Sequence, residues 1–129
     1  MKAIIIETAK ENAETLQEQI HSIDIKIDIS ASFCKTDDAL LYFSNNPQPD
    51  LLFMEPDPAN GICLDFFNRA EISCPVVYIL NTSPETFAGP LPNCLDTLTR
   101  PVDPYRLRKS IQHHRELQDF FIRNHSSLF

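Results

Sequence analysis

Between two proline-bearing turns, Asn46-Pro47-Gln48-Pro49 and Pro56-Asp57-Pro58, lie four consecutive apolar residues, Leu51 to Met54, bracketed by Asp50 and Glu55. A strand with one wet face alternates apolar and polar residues, so an unbroken apolar run this short requires cover on both faces. That is the condition of a central strand in a parallel sheet held between two layers of helices. In such folds the working groups gather at the carboxyl ends of the strands. Glu55, which ends this strand, is therefore the first residue whose purpose must be explained.

The rest of the chain alternates in the same sense. Lys2 to Ile6 is a second apolar run, followed by Glu11 to His21 with Ala13, Leu16 and Ile20 at helical spacing. Ile23, Ile25, Ile27 and Ile29 alternate with Asp24, Lys26 and Asp28, which predicts an edge strand. Thr36 is placed to cap a helix carrying Ala39, Leu40 and Phe43, with Asp37 and Asp38 near its positive end. Gly61 permits a turn into a helix with Ile62, Leu64, Phe66, Phe67 and Ala70. Strands are expected at Val76–Leu80 and at 95–99, and a final helix from Pro104 to about Asn124 carries Leu107, Ile111, Leu117 and Phe121 on one stripe. The expectation is an α/β fold: a doubly wound, five-stranded parallel sheet in a flavodoxin-like three-layer sandwich.

With 129 residues and 43% hydrophobic content, the chain suffices for one core and one domain. No run has the length of a membrane span or a secretory leader, so a cytoplasmic protein with no membrane partner is expected. Cys34, Cys63, Cys74 and Cys94 form no C-x-x-C pair and read as reduced core or near-core thiols. Residues 1–104 hold 16 acids against 6 Lys/Arg, whereas the remainder holds 5 Lys/Arg against 2 acids. The acidic body argues against direct nucleic-acid binding, and the basic tail reads as a solvated helix face. Only Gly61 and Gly89 occur, neither in a phosphate-binding loop, and there is no G-x-S-x-G elbow. Dinucleotide, Walker-type and ordinary hydrolase sites fall away, and no enzyme activity is expected.

The chain resembles a response-regulator receiver domain, CheY-like and of the type associated with LytTR output domains. The resemblance rests on Ile4-Ile5-Ile6-Glu7, on Asn45 through Glu55, on Asn60-Gly61, on Cys74-Pro75-Val76-Val77-Tyr78, and on Asp96-Thr97-Leu98-Thr99-Arg100-Pro101. Their order holds over about residues 1–118, implying a receiver-like domain there and a helix extension or linker over 119–129. In that family an aspartate ending the third strand accepts a phosphoryl group. An acidic pair ending the first strand holds Mg²⁺, a Ser/Thr and a Lys clasp the phosphoryl oxygens, and an aromatic on the fifth strand follows the change.

By that resemblance the site positions here are Glu7, Thr8, Glu55, Asp57, Leu80, Thr97 and Arg100, and only Glu7 keeps the family residue. Glu55 extends about 1.5 Å beyond an aspartate, and a displacement of about 1 Å at a reacting group costs roughly 10²-fold. Thr8 removes a hard anion from the Mg²⁺ site. Leu80 cannot donate to a phosphoryl oxygen. Glu7, Glu55 and Asp57 remain as weak Mg²⁺ candidates, and no cofactor is required. Two readings of Glu55 stand: a strand-end acid facing water, or a partner of Arg100, whose forked guanidinium suits a carboxylate. The pairing is the favoured reading, because it fixes the site in one charge arrangement.

The segment from Ser83 to Pro92, where receivers carry a helix between the fourth and fifth strands, contains Gly89, Pro90 and Pro92, so a shortened helix is expected. Phe87, Leu91, Leu117, Phe120 and Phe121 are candidate interface residues for a signalling partner or a homodimer. The function these readings imply is a degenerate receiver, or pseudo-receiver, in two-component signalling, interacting with proteins independently of phosphorylation. The alternatives are a phospho-accepting receiver and the receiver half of a LytTR-type DNA-binding regulator.

Overall fold

The computed structural model describes the backbone of residues 1–56, 62–87 and 89–127; side chains are described throughout these spans except at 62–64, 86 and 123–127. The elements run β1 (Lys2–Ile6), α1 (Lys10–Ile23), β2 (Asp28–Phe33), α2 (Thr36–Asn45), β3 (Leu51–Met54), α3 (Ile62–Ala70), β4 (Val76–Leu80), a 3₁₀ turn (Pro84–Thr86), β5 (Cys94–Thr99) and α4 (Pro104–Ser127). All five strands are parallel, in the order β2-β1-β3-β4-β5.

The apolar strands work because alternate side chains go to opposite faces. Ala3, Ile5, Leu51, Phe53, Val77, Ile79 and Leu98 pack with Ala13, Leu16 and Ile20 of α1 and with Leu107 and Ile111 of α4. Their neighbours Ile4, Ile6, Leu52, Met54, Val76, Tyr78 and Leu80 pack instead with Ala39 and Phe43 of α2 and Phe66 and Phe67 of α3. The run Leu51 to Met54 is fully buried on the central strand, as its lack of alternation demands.

Several local expectations are corrected. The isoleucine alternation over 23–29 is not a strand: α1 continues through Ile23, Ile25 is 74% exposed, and β2 begins only at Asp28. Leu16, Ile20 and Ile23 continue one helical stripe, and Ile27 turns into the core from the connecting loop. β2 is an edge strand with an irregular register opposite Ala3 and Ile4, a feature that disfavours pairing with a further strand. The N-cap of α2 is Lys35, with Thr36 its first helical residue and no side-chain capping bond. The helix expected after Ser83 is one 3₁₀ turn, ended before Gly89 and Pro90. Cys74 is buried as expected, but Cys34 and Cys94 are exposed because they lie at the outer ends of edge strands.

The buried stripe of α4 is also different. It runs through Leu107, Ser110, Ile111 and His114, whereas Leu117 and Phe121 lie largely outside the core. The helix is continuous across residues 118 and 119, and Phe120, Phe121 and Ile122 are exposed on it. No described helix is long and apolar enough to cross a membrane. Gly61 and the side chains of Ile62, Cys63 and Leu64 lie outside the described residues.

Candidate functional site

Three ladder hydrogen bonds carry the sheet one residue beyond its regular strands. The Glu7 N–H donates to the Phe33 carbonyl at 2.9 Å, the Glu55 N–H to the Ile6 carbonyl at 2.9 Å, and the Arg100 N–H to the Leu80 carbonyl at 2.8 Å. These bonds fix the backbone at the carboxyl ends of β1, β3 and β5, and parallel strands bring all three ends to one edge of the sheet. Glu7, Glu55 and Arg100 converge there.

The Arg100 guanidinium bridges both acids. Its Nη1 donates to Glu55 Oε2 at 2.5 Å and to Asn81 Oδ1 at 2.7 Å, while Nη2 donates to Glu7 Oε2. The hydroxyl of Thr8 donates to the other Glu55 oxygen, Oε1. Glu7 is buried to 1% exposure, and the side chains of Glu55 and Arg100 keep only 9% and 18%. Such a pair differs from a surface ion pair: with little water to screen it, removing one member leaves a charge that the interior tolerates badly.

The two carboxyls share the Arg100 guanidinium, and each acts on the proton affinity of the other. Burial pushes Glu7 up to about 7 against the pull of Arg100, and the neighbouring Glu55 charge adds to the rise. At Glu55 burial also acts upward, but the Thr8 hydroxyl, the Arg100 charge and the hydrogen bond from Glu7 outweigh it and hold this carboxyl below its usual range. Below neutrality the cluster therefore tends to one proton on Glu7 beside a charged Glu55 and Arg100, and Glu7 ionises as pH rises through about 7.

This arrangement is chemically closed. Both Glu55 oxygens accept hydrogen bonds, so neither is an unencumbered nucleophile. Leu80 is buried in the core on the α2/α3 side and offers no donor. Thr97 lies across the ladder from Tyr78, three residues before Arg100, and takes no part in the cluster's hydrogen bonds among the described residues. Asp57 lies outside the described residues. The described donor set does not fit Mg²⁺, because the guanidinium already holds the two carboxylates that an octahedral cation would need. A cleft of about 370 Å³ between α1 and the turn after β5 adjoins Glu7 and Arg100, lined also by Asn12, Thr15 and Gln19.

The Glu55–Arg100 pairing foreseen from side-chain length is present. Three features of the cluster lay beyond sequence reasoning: Glu7 as a second partner of Arg100, Thr8 as a donor to Glu55, and Asn81 as a further acceptor. The Asn81 contact had one available signal, its position immediately after a strand beside the site. Of the interface candidates, Phe87 and Leu91 are partly buried against the core, whereas Leu117, Phe120 and Phe121 are exposed on α4.

No protein-family model matches this sequence, nor does any curated protein. Solved structures do match its fold. The N-terminal domain of a response regulator/sensory box/GGDEF three-domain protein from Carboxydothermus hydrogenoformans superposes with a TM-score of 0.70 at 15% identity, covering 95% of this chain and 99% of that one. The response regulatory domain of mrkE from Klebsiella pneumoniae gives 0.68 at 17% identity, covering 92% and 98%. The anti-anti-sigma factor PhyR from Bartonella quintana gives 0.70 at 16% identity, covering 92% of this chain and 49% of that one. Identities this low carry architecture and leave function to the site. With its 2-1-3-4-5 parallel sheet and these likenesses, the chain has the CheY-like receiver fold.

Proposed function

We propose that this chain is a degenerate receiver: a non-catalytic signalling module that engages a protein partner, or a second copy of itself, without being phosphorylated. The observation that carries this reading is the bridging of Glu7 and Glu55 by Arg100. In the family that the chain resembles, the acceptor is an aspartate, and a Ser/Thr and a Lys clasp the incoming phosphoryl oxygens. Here the acceptor position is a glutamate with both oxygens engaged, the hydroxyl position is Leu80, and the Thr8 hydroxyl donates to Glu55 itself. The standing ion cluster takes the place of the phosphoryl-dependent contact and holds the domain in a single state. Binding therefore depends on the surface this state displays, which includes the single 3₁₀ turn between β4 and β5.

The test is incubation with acetyl phosphate, and separately with beryllofluoride, each with Mg²⁺, followed by intact mass and two-dimensional NMR. The expected result is no added phosphoryl mass and no shift at Glu55, Leu80 or Arg100. A stable phosphoryl adduct on Glu55 would overturn the reading in favour of a phospho-accepting receiver.

A further inference from the structure

The opposite end of the sheet holds a second concentration of polar groups. His114 projects from α4 and is 2% exposed, and its Nε2 lies 2.9 Å from the carbonyl of Asp50, just before β3. A carbonyl only accepts, so Nε2 carries the hydrogen, and Nδ1 of the neutral ring is a bare acceptor. Nδ1 is the one buried side-chain polar atom without a hydrogen-bond partner among the described residues. Burial holds the ring below its usual pKa and so keeps it neutral. An unpartnered buried acceptor calls for a specific explanation, since its lost hydration is not replaced.

His114 also forms part of the wall of a cavity of about 340 Å³, a volume in the range of small-ligand sites. Asp50, Cys74, Pro75, Asn93, Leu117 and Phe121 contribute to the same wall. Its polar character is one-sided. Asn93, held in left-handed backbone with φ 56°, donates its Nδ2 to the carbonyls of Ile72 and Cys74, and its Oδ1 accepts nothing among the described residues. The Asp50 carboxylate accepts through Oδ2 from the backbone N–H of Lys2 at 2.7 Å and brings a negative charge. Among the described residues no lysine or arginine side chain lines the cavity, and the Arg115 and amino-terminal charges act on His114 from outside its wall. Pro75, Leu117 and Phe121 supply an apolar wall, and Phe121 is two-thirds exposed without any partner in the core.

We propose that this cavity is a binding site for a small cationic N–H donor with a flat apolar body, such as an aromatic amidine or amine. Its donor groups meet His114 Nδ1, Asn93 Oδ1 and the Asp50 carboxylate, and its ring lies against Phe121 and Leu117. Nδ1 is covered in the free protein, so a side chain of the cavity wall must move for a ligand to reach it. An anion is disfavoured by the same wall, which opposes it with a carboxylate and two acceptors. The site is independent of the ion cluster, which lies at the other end of the strands.

The proposal is tested on the full chain with benzamidine as the cationic probe and benzoate as its anionic counterpart. Expected are saturable NMR shifts at Cys74, Asn93 and His114 with benzamidine, including the His114 ring nitrogens, and a dissociation constant of about 1 mM or tighter for a ligand of this size. Phe121→Ala, at an exposed position, should weaken binding about fivefold or more through lost ring contact. Asp50→Asn should weaken it further while leaving the His114 contact to the backbone carbonyl available. Equal response to benzoate, unsaturable shifts, or indifference to both variants would overturn the proposal. So would a concentration-dependent dimer in sedimentation that disappears in Phe121→Ala, because a second copy would then be the occupant of this face.

Discussion

The two ends of the sheet each bury a titratable side chain, and they solve the problem in opposite ways. At the carboxyl end, Glu7 is held by a guanidinium and a second carboxyl, and its proton affinity is raised. At the amino end, His114 is held by one backbone carbonyl, and its proton affinity is lowered. In both cases burial favours the neutral form, which raises the pKa of an acid and lowers that of a base. The difference lies in the neighbours: Glu7 sits in a closed network of opposite charges, whereas His114 retains an open acceptor. The first end is saturated, whereas the second leaves an acceptor unused.

β3 joins the two ends, carrying Asp50 before its first residue and Glu55 after its last. Phe53 is wholly buried in its middle, so Phe53→Ala should destabilise the fold by about 3–5 kcal/mol through the cavity it leaves. Urea melts measure this directly. A loss under about 1 kcal/mol would mean that the strand is not the shared support of both ends.

The saturated end should fail next most severely. Arg100→Ala strands two buried carboxyls, and at pH above about 7, where Glu7 also ionises, the loss should approach the roughly 3–5 kcal/mol of a broken buried pair. At lower pH a proton on Glu7 replaces part of the missing charge, and the loss should shrink. A double-mutant cycle with Glu55→Gln should give a coupling above about 1 kcal/mol. A coupling near zero would place Glu55 in solvent, a loss that does not depend on pH would remove Glu7 from the cluster, and either would dissolve the contrast between the ends.

How far each end was legible in the sequence follows from what its residues announce. The unbroken run Leu51 to Met54 and the alternation of strands with helical stripes carried the sheet, because burial on two faces leaves a direct mark on composition. The isoleucines at 23, 25, 27 and 29 misled, because a β-branched residue at every second position satisfies the strand pattern even where Leu16, Ile20 and Ile23 extend a helix. The Glu55–Arg100 pair was legible from the two long side chains at strand ends. Glu7 as the proton holder was not, since its raised proton affinity depends on burial and on a neighbour 48 positions away in the chain. His114 carries no mark in the sequence, because positions 113 and 114 are both histidine and only packing against Asp50 distinguishes the buried one.

The third prediction separates the pH signature of the carboxyl end. Glu7 binds its proton more tightly folded than unfolded, so its contribution is fully present below the unfolded value of 4.5 and is lost as pH rises through about 7. The span corresponds to at most about 3 kcal/mol. Glu7→Gln keeps a neutral amide able to donate to Glu55 and accept from Arg100 while removing the titration. Its stability should lack the decline with rising pH between these limits. If the variant and the parent have parallel profiles, Glu7 is not the proton holder.

The smallest effect belongs to the amino end and runs the other way. His114 binds a proton less readily folded than unfolded, so between its depressed folded value and the ordinary 6.5 the unfolded chain carries more protons. Stability from this group is present above 6.5 and is lost as pH falls. The two ends therefore oppose each other over a shared part of the acid range, and the parent protein shows only their difference. His114→Gln retains a side-chain donor for the Asp50 carbonyl and removes the titration, so its profile should expose the uncancelled Glu7 slope, with stability rising as pH falls from about 7 toward 4.5. Denaturant midpoints at several pH values measure it, and the Glu7→Gln, His114→Gln double variant should lose both slopes. A His114→Gln profile superimposable on the parent would show that the ring titrates as in water, and the buried bare nitrogen that distinguishes this end would then be wrong.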